Sequence, residues 1–252
     1  MDQTIRKYLE ELESSKGIKI LLACETGSRA WGFPSPDSDY DVRILYKHKL
    51  DWYISLGSPR DTIEQMLDDN EIDISGWELR KSLNLMMKSN APLIERVQSP
   101  IIYKADEKFL PEYIKLVKNC YSRIATMHHY LSIAQKCYTE ITEGKTYKLK
   151  RFFYGLRTAT VCEWILVHEE IPPIEFSKVL EGIEVPQPIQ NKIKDLVELK
   201  ATKSENYLHI GEEDVIAYMK SCIDQAKEQI TLLPSAAFNK GAIDEFLKEQ
   251  IL

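Results

Sequence analysis

Gly27-Ser28, followed eleven residues on by Asp39-Tyr40-Asp41, is the stretch on which the reading of this chain turns. Ahead of it, Ile18-Lys19-Ile20-Leu21-Leu22-Ala23 is a mostly apolar run of strand length, the pattern of a buried strand. Behind it, residues 42–46 form a second apolar run. Glycine permits a tight turn and the close backbone approach that a phosphate needs. The serine hydroxyl and neighbouring backbone N–H groups can donate to phosphate oxygens. Side chains alternate along a strand, so Asp39, Asp41 and Arg43 share one face, and Tyr40, Val42 and Ile44 take the other. Three ionised groups in a row on a central strand are costly if buried without partners. A divalent cation offsets that cost for the carboxylates. Magnesium takes hard oxygen ligands at about 2.0–2.1 Å, often one or two carboxylates together with substrate phosphates. The parts fit the handling of a nucleoside triphosphate.

Further along, Glu71-Ile72-Asp73-Ile74-Ser75 alternates apolar and polar residues and reads as a third strand, ended by Gly76. Asp73 points away from its isoleucine neighbours. If this strand lies beside the Asp39 strand, Asp73 completes a carboxylate triad. Three carboxylates can hold two cations, one orienting the triphosphate and one activating an attacking hydroxyl. Arg29 and Arg43 are charge partners for phosphate or for the carboxylates. Each piece alone is weak: a Gly-Ser at a strand end is usually a turn, and an Asp-x-Asp is usually a solvated edge. Their order along the chain carries the reading.

The rest of the pattern implies α+β organisation. Residues 2–15 repeat apolar positions at helical spacing, and Gly17 closes that helix. Residues 27–38, rich in Gly, Pro and Ser, read as a loop with a short helical turn. Residues 77–89 read as a helix. Beyond residues 100–103 helical periodicity dominates, over 107–140, 147–169, 187–203, 212–232 and 240–251, punctuated by Pro172-Pro173 and Pro186. Strands followed by helices predict a catalytic domain over 1–104 and an all-helical domain over 105–252 that closes the active-site cleft.

Composition sets outer limits. The 252 residues, 44% hydrophobic and 29% charged, are those of an ordinary globular protein of one large or two modest domains. A net charge of −6 argues against broad, sequence-independent nucleic-acid binding and leaves room for a local basic cleft. The five cysteines are widely spaced, with no Cys-x-x-Cys pair, so buried free thiols are expected rather than disulfides or zinc. No apolar run reaches the roughly 20 residues of a membrane span, and the polar N-terminal stretch is unlike a signal peptide. A cytoplasmic protein without membrane contact is expected. The histidines lack ligand spacing and read as structural or surface residues.

Positive charge gathers at Lys148, Lys150, Arg151 and Arg157 around Tyr154. On a helix Lys150, Tyr154 and Arg157 lie at i, i+4 and i+7, one face. That face is expected to look onto the triphosphate, with Lys150 and Arg157 neutralising the β- and γ-phosphates and Tyr154 stacking on the base or bonding to phosphate. The plainer alternative is an exposed basic face paired with Glu140 or Glu143. Lys200, Lys203 and Glu205 read as a solvated helix end. Trp31 and Phe33 either stack on a base or cap the core.

Thr26-Gly27-Ser28-Arg29-Ala30-Trp31-Gly32-Phe33, then Ser38-Asp39-Tyr40-Asp41-Val42-Arg43, resembles the nucleotidyltransferase fold of the DNA polymerase β-like superfamily. It is most similar to predicted nucleotidyltransferases of bacteria and phages that include RNA-ligase-associated members. The superfamily pattern is a Gly-Ser, a carboxylate-x-carboxylate strand and a later strand with a third carboxylate. Gly27, Ser28, Asp39, Asp41 and Asp73 stand at those positions. The similarity extends through Trp77-Glu78-Leu79-Arg80-Lys81, Asn90-Ala91-Pro92-Leu93-Ile94-Glu95 and Ser99-Pro100-Ile101-Ile102-Tyr103 to residues 150–157. The resemblance implies an N-terminal nucleotidyltransferase fold, a mixed sheet with helices, and transfer of a nucleoside monophosphate from an NTP such as ATP, with release of pyrophosphate. Magnesium, with manganese as the alternative, would be held by Asp39, Asp41 and Asp73. The acceptor, an RNA end, a protein or a small molecule, and the oligomeric state are left open. A non-catalytic NTP-binding regulatory module is the rival reading.

Overall fold

The structure is a computed structural model and describes residues 1–57, 59–67, 71–234 and 236–252. In chain order, α1 (Asp2–Lys16) leads to β1 (Lys19–Glu25), α2 (Gly27–Trp31), β2 (Tyr40–Lys47), α3 (Leu50–Ile54), β3 (Thr62–Leu67) and β4 (Ile72–Glu78). Then come α4 (Leu79–Met86), α5 (Ala91–Gln98), β5 (Ile102–Ala105) and α6 (Phe109–Cys120). Next are α7 (Arg123–Thr142), β6 (Tyr147–Lys148), α8 (Leu149–Val167), α9 (Phe176–Glu181) and α10 (Gln187–Lys200). The chain finishes with β7 (Leu208–His209), α11 (Glu213–Gln229) and α12 (Lys240–Ile251). The class is α+β, as the order of strands and helices predicted.

Two compact units divide the chain: Met1–Ala30, Asp39–Tyr121 and Ala237–Leu252 form a sheet unit, and Trp31–Ser38 with Ser122–Ala236 a helical unit. The expected cut near residue 104 thus falls inside the sheet unit. The apolar face of α6 packs there, with Phe109 and Tyr113 against Phe246 of α12. Two consecutive blocks were expected because helical periodicity marks a helix without saying which core it covers. Two further departures are Trp31–Ser38, which belongs to the helical unit, and Ala237–Leu252, which belongs to the sheet unit.

In the sheet unit the strand order is β3-β4-β2-β1-β5. Among the described residues only β2 and β4 run parallel; the other pairs are antiparallel, so the sheet is mixed. Ile5, Leu9 and Leu12 of α1 join Ile20, Ala23, Val42, Ile44, Ile72 and Ile74 in one core. Each of the valine, leucine and isoleucine side chains contributes about 1.5–3 kcal/mol when fully buried. Gly17 ends α1 at φ +62°, a left-handed position where glycine carries no Cβ penalty. Gly76 does not break its strand. It lies inside β4 because a Cβ there would collide with Ile44 of the neighbouring β2.

The helical run expected over 107–140 is two helices, α6 and α7, separated where Ser122 caps the second by accepting from the Ala125 N–H at 3.4 Å. In the helical unit α8 is buried along most of its circumference, including Phe152, Phe153, Leu156, Ala159 and Cys162, the mark of a central helix. All five cysteines are free and buried. No described helix is long and apolar enough to cross a membrane.

Candidate active site

β1 delivers the chain to the turn at Gly27. The Thr26 N–H donates to the Asp41 carbonyl at 2.9 Å, which carries the β1–β2 pairing one residue past the strand. Gly27 has φ +68°, and a Cβ there would overlap the Asp41 carboxylate. Glycine is required twice at this position, for the backbone conformation and for the close approach. The turn and the second carboxylate of the Asp-x-Asp are therefore in contact, a closeness that the sequence pattern did not foretell. Ser28, 6% exposed, is buried at the start of α2.

The parallel register sets Asp41 directly beside Asp73, with Val42 beside Ile74. The two carboxylates therefore share a face, each about one-third exposed. Arg43 lies against both: its Nη2 is 2.5 Å from Asp41 Oδ1 and 2.8 Å from Asp73 Oδ2, and its Nη1 donates to the Asp73 carbonyl at 3.0 Å. Of the two partners foreseen for Arg43, phosphate or carboxylate, this structure has the carboxylates. One guanidinium offsets the repulsion of two neighbouring acids, and its planar fork reaches both. Asp39 is exposed, one residue ahead of β2.

The donor chemistry of this face fits a hard cation, since Asp41 and Asp73 offer oxygen ligands side by side and magnesium needs only one or two carboxylates. A preassembled triad is a different matter. Among the described residues no three His, Cys, Asp or Glu side chains converge to hold a metal ion.

Arg29 does not extend from the turn as a free phosphate clamp. Its Nε pairs with Glu25 Oε1 at 2.9 Å, its guanidinium lies 4.1 Å from the centre of the Tyr40 ring, and Nη2 donates to the Tyr40 hydroxyl at 3.3 Å. Glu25 went unremarked in the sequence. It is 1% exposed, and its carboxylate also accepts from the Tyr103 hydroxyl. Burial raises its pKa, against the lowering by the Tyr103 hydrogen bond and by Arg29. The available signal was an acid at the end of an otherwise apolar strand, immediately before Thr26-Gly27-Ser28.

The basic helix divides. Arg157 is 1% exposed, its guanidinium is 4.4 Å from the Trp31 ring centre, and Nη2 donates to the Ile174 carbonyl at 3.3 Å. It is a core residue of the helical unit rather than a surface group awaiting phosphate, because the i+7 position of α8 has turned inward. Lys150 pairs with Glu205. Tyr154 is half-buried and meets the Trp31 ring edge-on at 4.8 Å. Arg151 pairs with Glu140, Nη2 to Oε1 at 2.9 Å, the plainer alternative considered for this face. Trp31 and Phe33 are buried among Phe153, Phe176 and Tyr154 and belong to the core. Lys200 is 1% exposed and not a solvated helix end.

A Gly-Ser turn, an acid-bearing strand and a later strand with a further acid follow one another in the order that the resemblance to polymerase β-like nucleotidyltransferases implied; their parallel register comes from the structure. The chain belongs to the RNA repair pathway DNA polymerase beta family, which it matches over residues 1–249. It is 37% identical over 228 residues to the uncharacterized protein YcgL of Bacillus subtilis (strain 168), covering 90% of this chain and 87% of that protein. Among solved structures, a nucleotidyltransferase-like protein from Exiguobacterium sibiricum 255-15 is similar at a TM-score of 0.32 and 12% identity, over 92% of this chain and 74% of that one.

Proposed function

We propose that this chain is a metal-dependent nucleotidyltransferase that moves a nucleoside monophosphate from an NTP to an acceptor hydroxyl and releases pyrophosphate. The observation that carries the reading is the register of Asp41 beside Asp73, against the Gly27 turn, in a member of a polymerase β-type family. Asp41 and Asp73 would hold magnesium or manganese, with Asp39 joining them once the cation is bound. When bound, such a cation neutralises triphosphate charge and favours an ionised acceptor oxygen.

The chain's own groups do the rest. Backbone N–H groups at the turn of Gly27 and Ser28 donate to triphosphate oxygens. Arg43 keeps the Asp41 and Asp73 carboxylates at one spacing. Asp73 receives the proton of the acceptor hydroxyl as that oxygen bonds to the α-phosphorus, and the bond from the α-phosphorus to the bridging oxygen breaks. The family description names an RNA repair pathway, so the 3′-hydroxyl of an RNA end is the first acceptor to test, ahead of proteins and small alcohols.

The test follows labelled NMP from each of four NTPs onto RNA 3′ ends, with Mg²⁺ or Mn²⁺. The Asp39→Asn, Asp41→Asn double variant is expected to lose activity by on the order of 10²–10³-fold, the scale at which transition-state charge goes unstabilised. Transfer at the wild-type rate by the double variant sinks the reading. The rival of a non-catalytic NTP-binding module draws on one observation, that Arg43 already pairs with both carboxylates. It predicts NTP binding with no pyrophosphate release.

A further inference from the structure

The connection between α2 and β2 is pinned by residues far along the chain. Ser35 and Ser38, 5% and 6% exposed, close a turn on themselves. The Ser35 N–H donates to Ser38 Oγ at 2.9 Å, and the Ser38 N–H to the Ser35 carbonyl at 3.1 Å. Pro34 and Pro36 restrict the backbone of the same segment. Glu205 holds this turn from two sides. Its Oε1 accepts from Ser38 Oγ at 3.0 Å, and its own N–H donates to Asp37 Oδ1 at 2.9 Å. Its other carboxylate oxygen is fixed by Lys150. Lys200, the last residue of α10, donates its buried ammonium to Ser35 Oγ at 2.9 Å.

We propose that Glu205 and Lys200 are positioning residues that hold the turn at residues 35–38 and thereby set where Asp39 is presented. A buried ammonium bonded to a neutral hydroxyl is costly, and burial lowers the Lys200 pKa while the Glu205 and Asp37 carboxylates work against that. Such a group is poorly explained as a contribution to stability and well explained as a fixed anchor. Asp39 follows Ser38 directly, its Cα about 3.8 Å away across one trans peptide. The hold is read from contacts alone. Its consequence for Asp39 rests on the nucleotidyl-transfer reading, in which a displacement of about 1 Å costs on the order of 10²-fold in rate.

Amide hydrogen exchange and Mn²⁺ titration of the full chain test this in wild type, Glu205→Ala, Glu205→Gln and Lys200→Met. Glu205→Ala is expected to speed exchange at residues 35–39 by about tenfold, leave α8 unchanged, and weaken Mn²⁺ binding several-fold. Glu205→Gln keeps an acceptor for Ser38 and recovers most of the protection. Lys200→Met fills the space of the lysine stem, so the unit folds, and exchange at the turn still rises. Unchanged exchange in both Glu205→Ala and Lys200→Met overturns the hold. Faster exchange with undiminished Mn²⁺ affinity overturns its link to Asp39. A wild-type chain that binds no Mn²⁺ and transfers no nucleotide, yet whose exchange responds as expected, upholds the hold and removes only the nucleotidyl-transfer reading.

Discussion

In the sheet unit Arg43 lies against Asp41 and Asp73 with side chains 17%, 30% and 32% exposed. In the helical unit Arg157 and Lys200 are each 1% exposed, one over an indole ring and the other on a serine hydroxyl. The two regions use the same kinds of side chain. A strand alternates, so ions that share a face share a surface, and water and ligands still reach them. A helix central to its unit buries most of its circumference, so a cation placed on it by spacing alone can end in the core, where its partners are carbonyls, rings and hydroxyls. The first cluster stays partly open to water, and the second is closed into the core.

Substitution of Arg157 separates the two kinds of cluster most sharply. Arg157→Ala removes a large buried side chain and is expected to lower unfolding free energy in urea by about 3 kcal/mol. Undiminished stability with weakened NTP binding would move Arg157 from the core to the ligand and erase the distinction. Arg43→Gln is expected to cost less, about 1–2 kcal/mol, because the carboxylates it leaves unpaired remain partly hydrated. Mn²⁺ should return most of that loss, as a ligand of the folded state does; a deficit that no divalent cation reduces would argue that the pair is purely structural.

The smallest effect belongs to a pair nearer solvent. Lys19 and the backbone N–H groups of Phe109 and Lys108 hold the Asp106 carboxyl down at about 2, below its ordinary 3.8. A depressed acid contributes stability that is complete above its unfolded pKa and disappears as pH falls through the folded one. Asp106→Asn should therefore cost about 1 kcal/mol or less at pH 7, discounted for solvent screening. Wild type and variant should converge between about pH 4 and pH 2. Thermal melts across that range check it, and a constant gap down to pH 2 would place the effect elsewhere.

Much of the candidate site was legible because strand patterns report on faces. Ile72-Asp73-Ile74 and Asp41-Val42-Arg43 alternate cleanly, and the parallel register pairs them as that alternation allowed. β3, with half-exposed positions on an edge of the sheet, gives no such contrast and was not foreseen; nor were the short helices α3, α5 and α9. Gly76 read as a breaker because a sequence cannot display Ile44 packing against it. Arg157 read as facing a triphosphate and Lys200 as a solvated helix end, because charge is a poor guide to burial when the partners are carbonyls or hydroxyls distant in sequence.

By itself the sequence determined the α+β order, the acid-bearing strand after a Gly-Ser turn and the position of a third acid. Those are properties of local periodicity and turn chemistry. Tertiary structure alone decided that Asp41 and Asp73 stand in register with Arg43 against both. It also decided that Glu25 lies buried behind the turn and that Glu205 and Lys200 grip the residues before Asp39. These depend on which strands and helices become neighbours, and that is settled by the packing of whole faces, to which each residue contributes only a part.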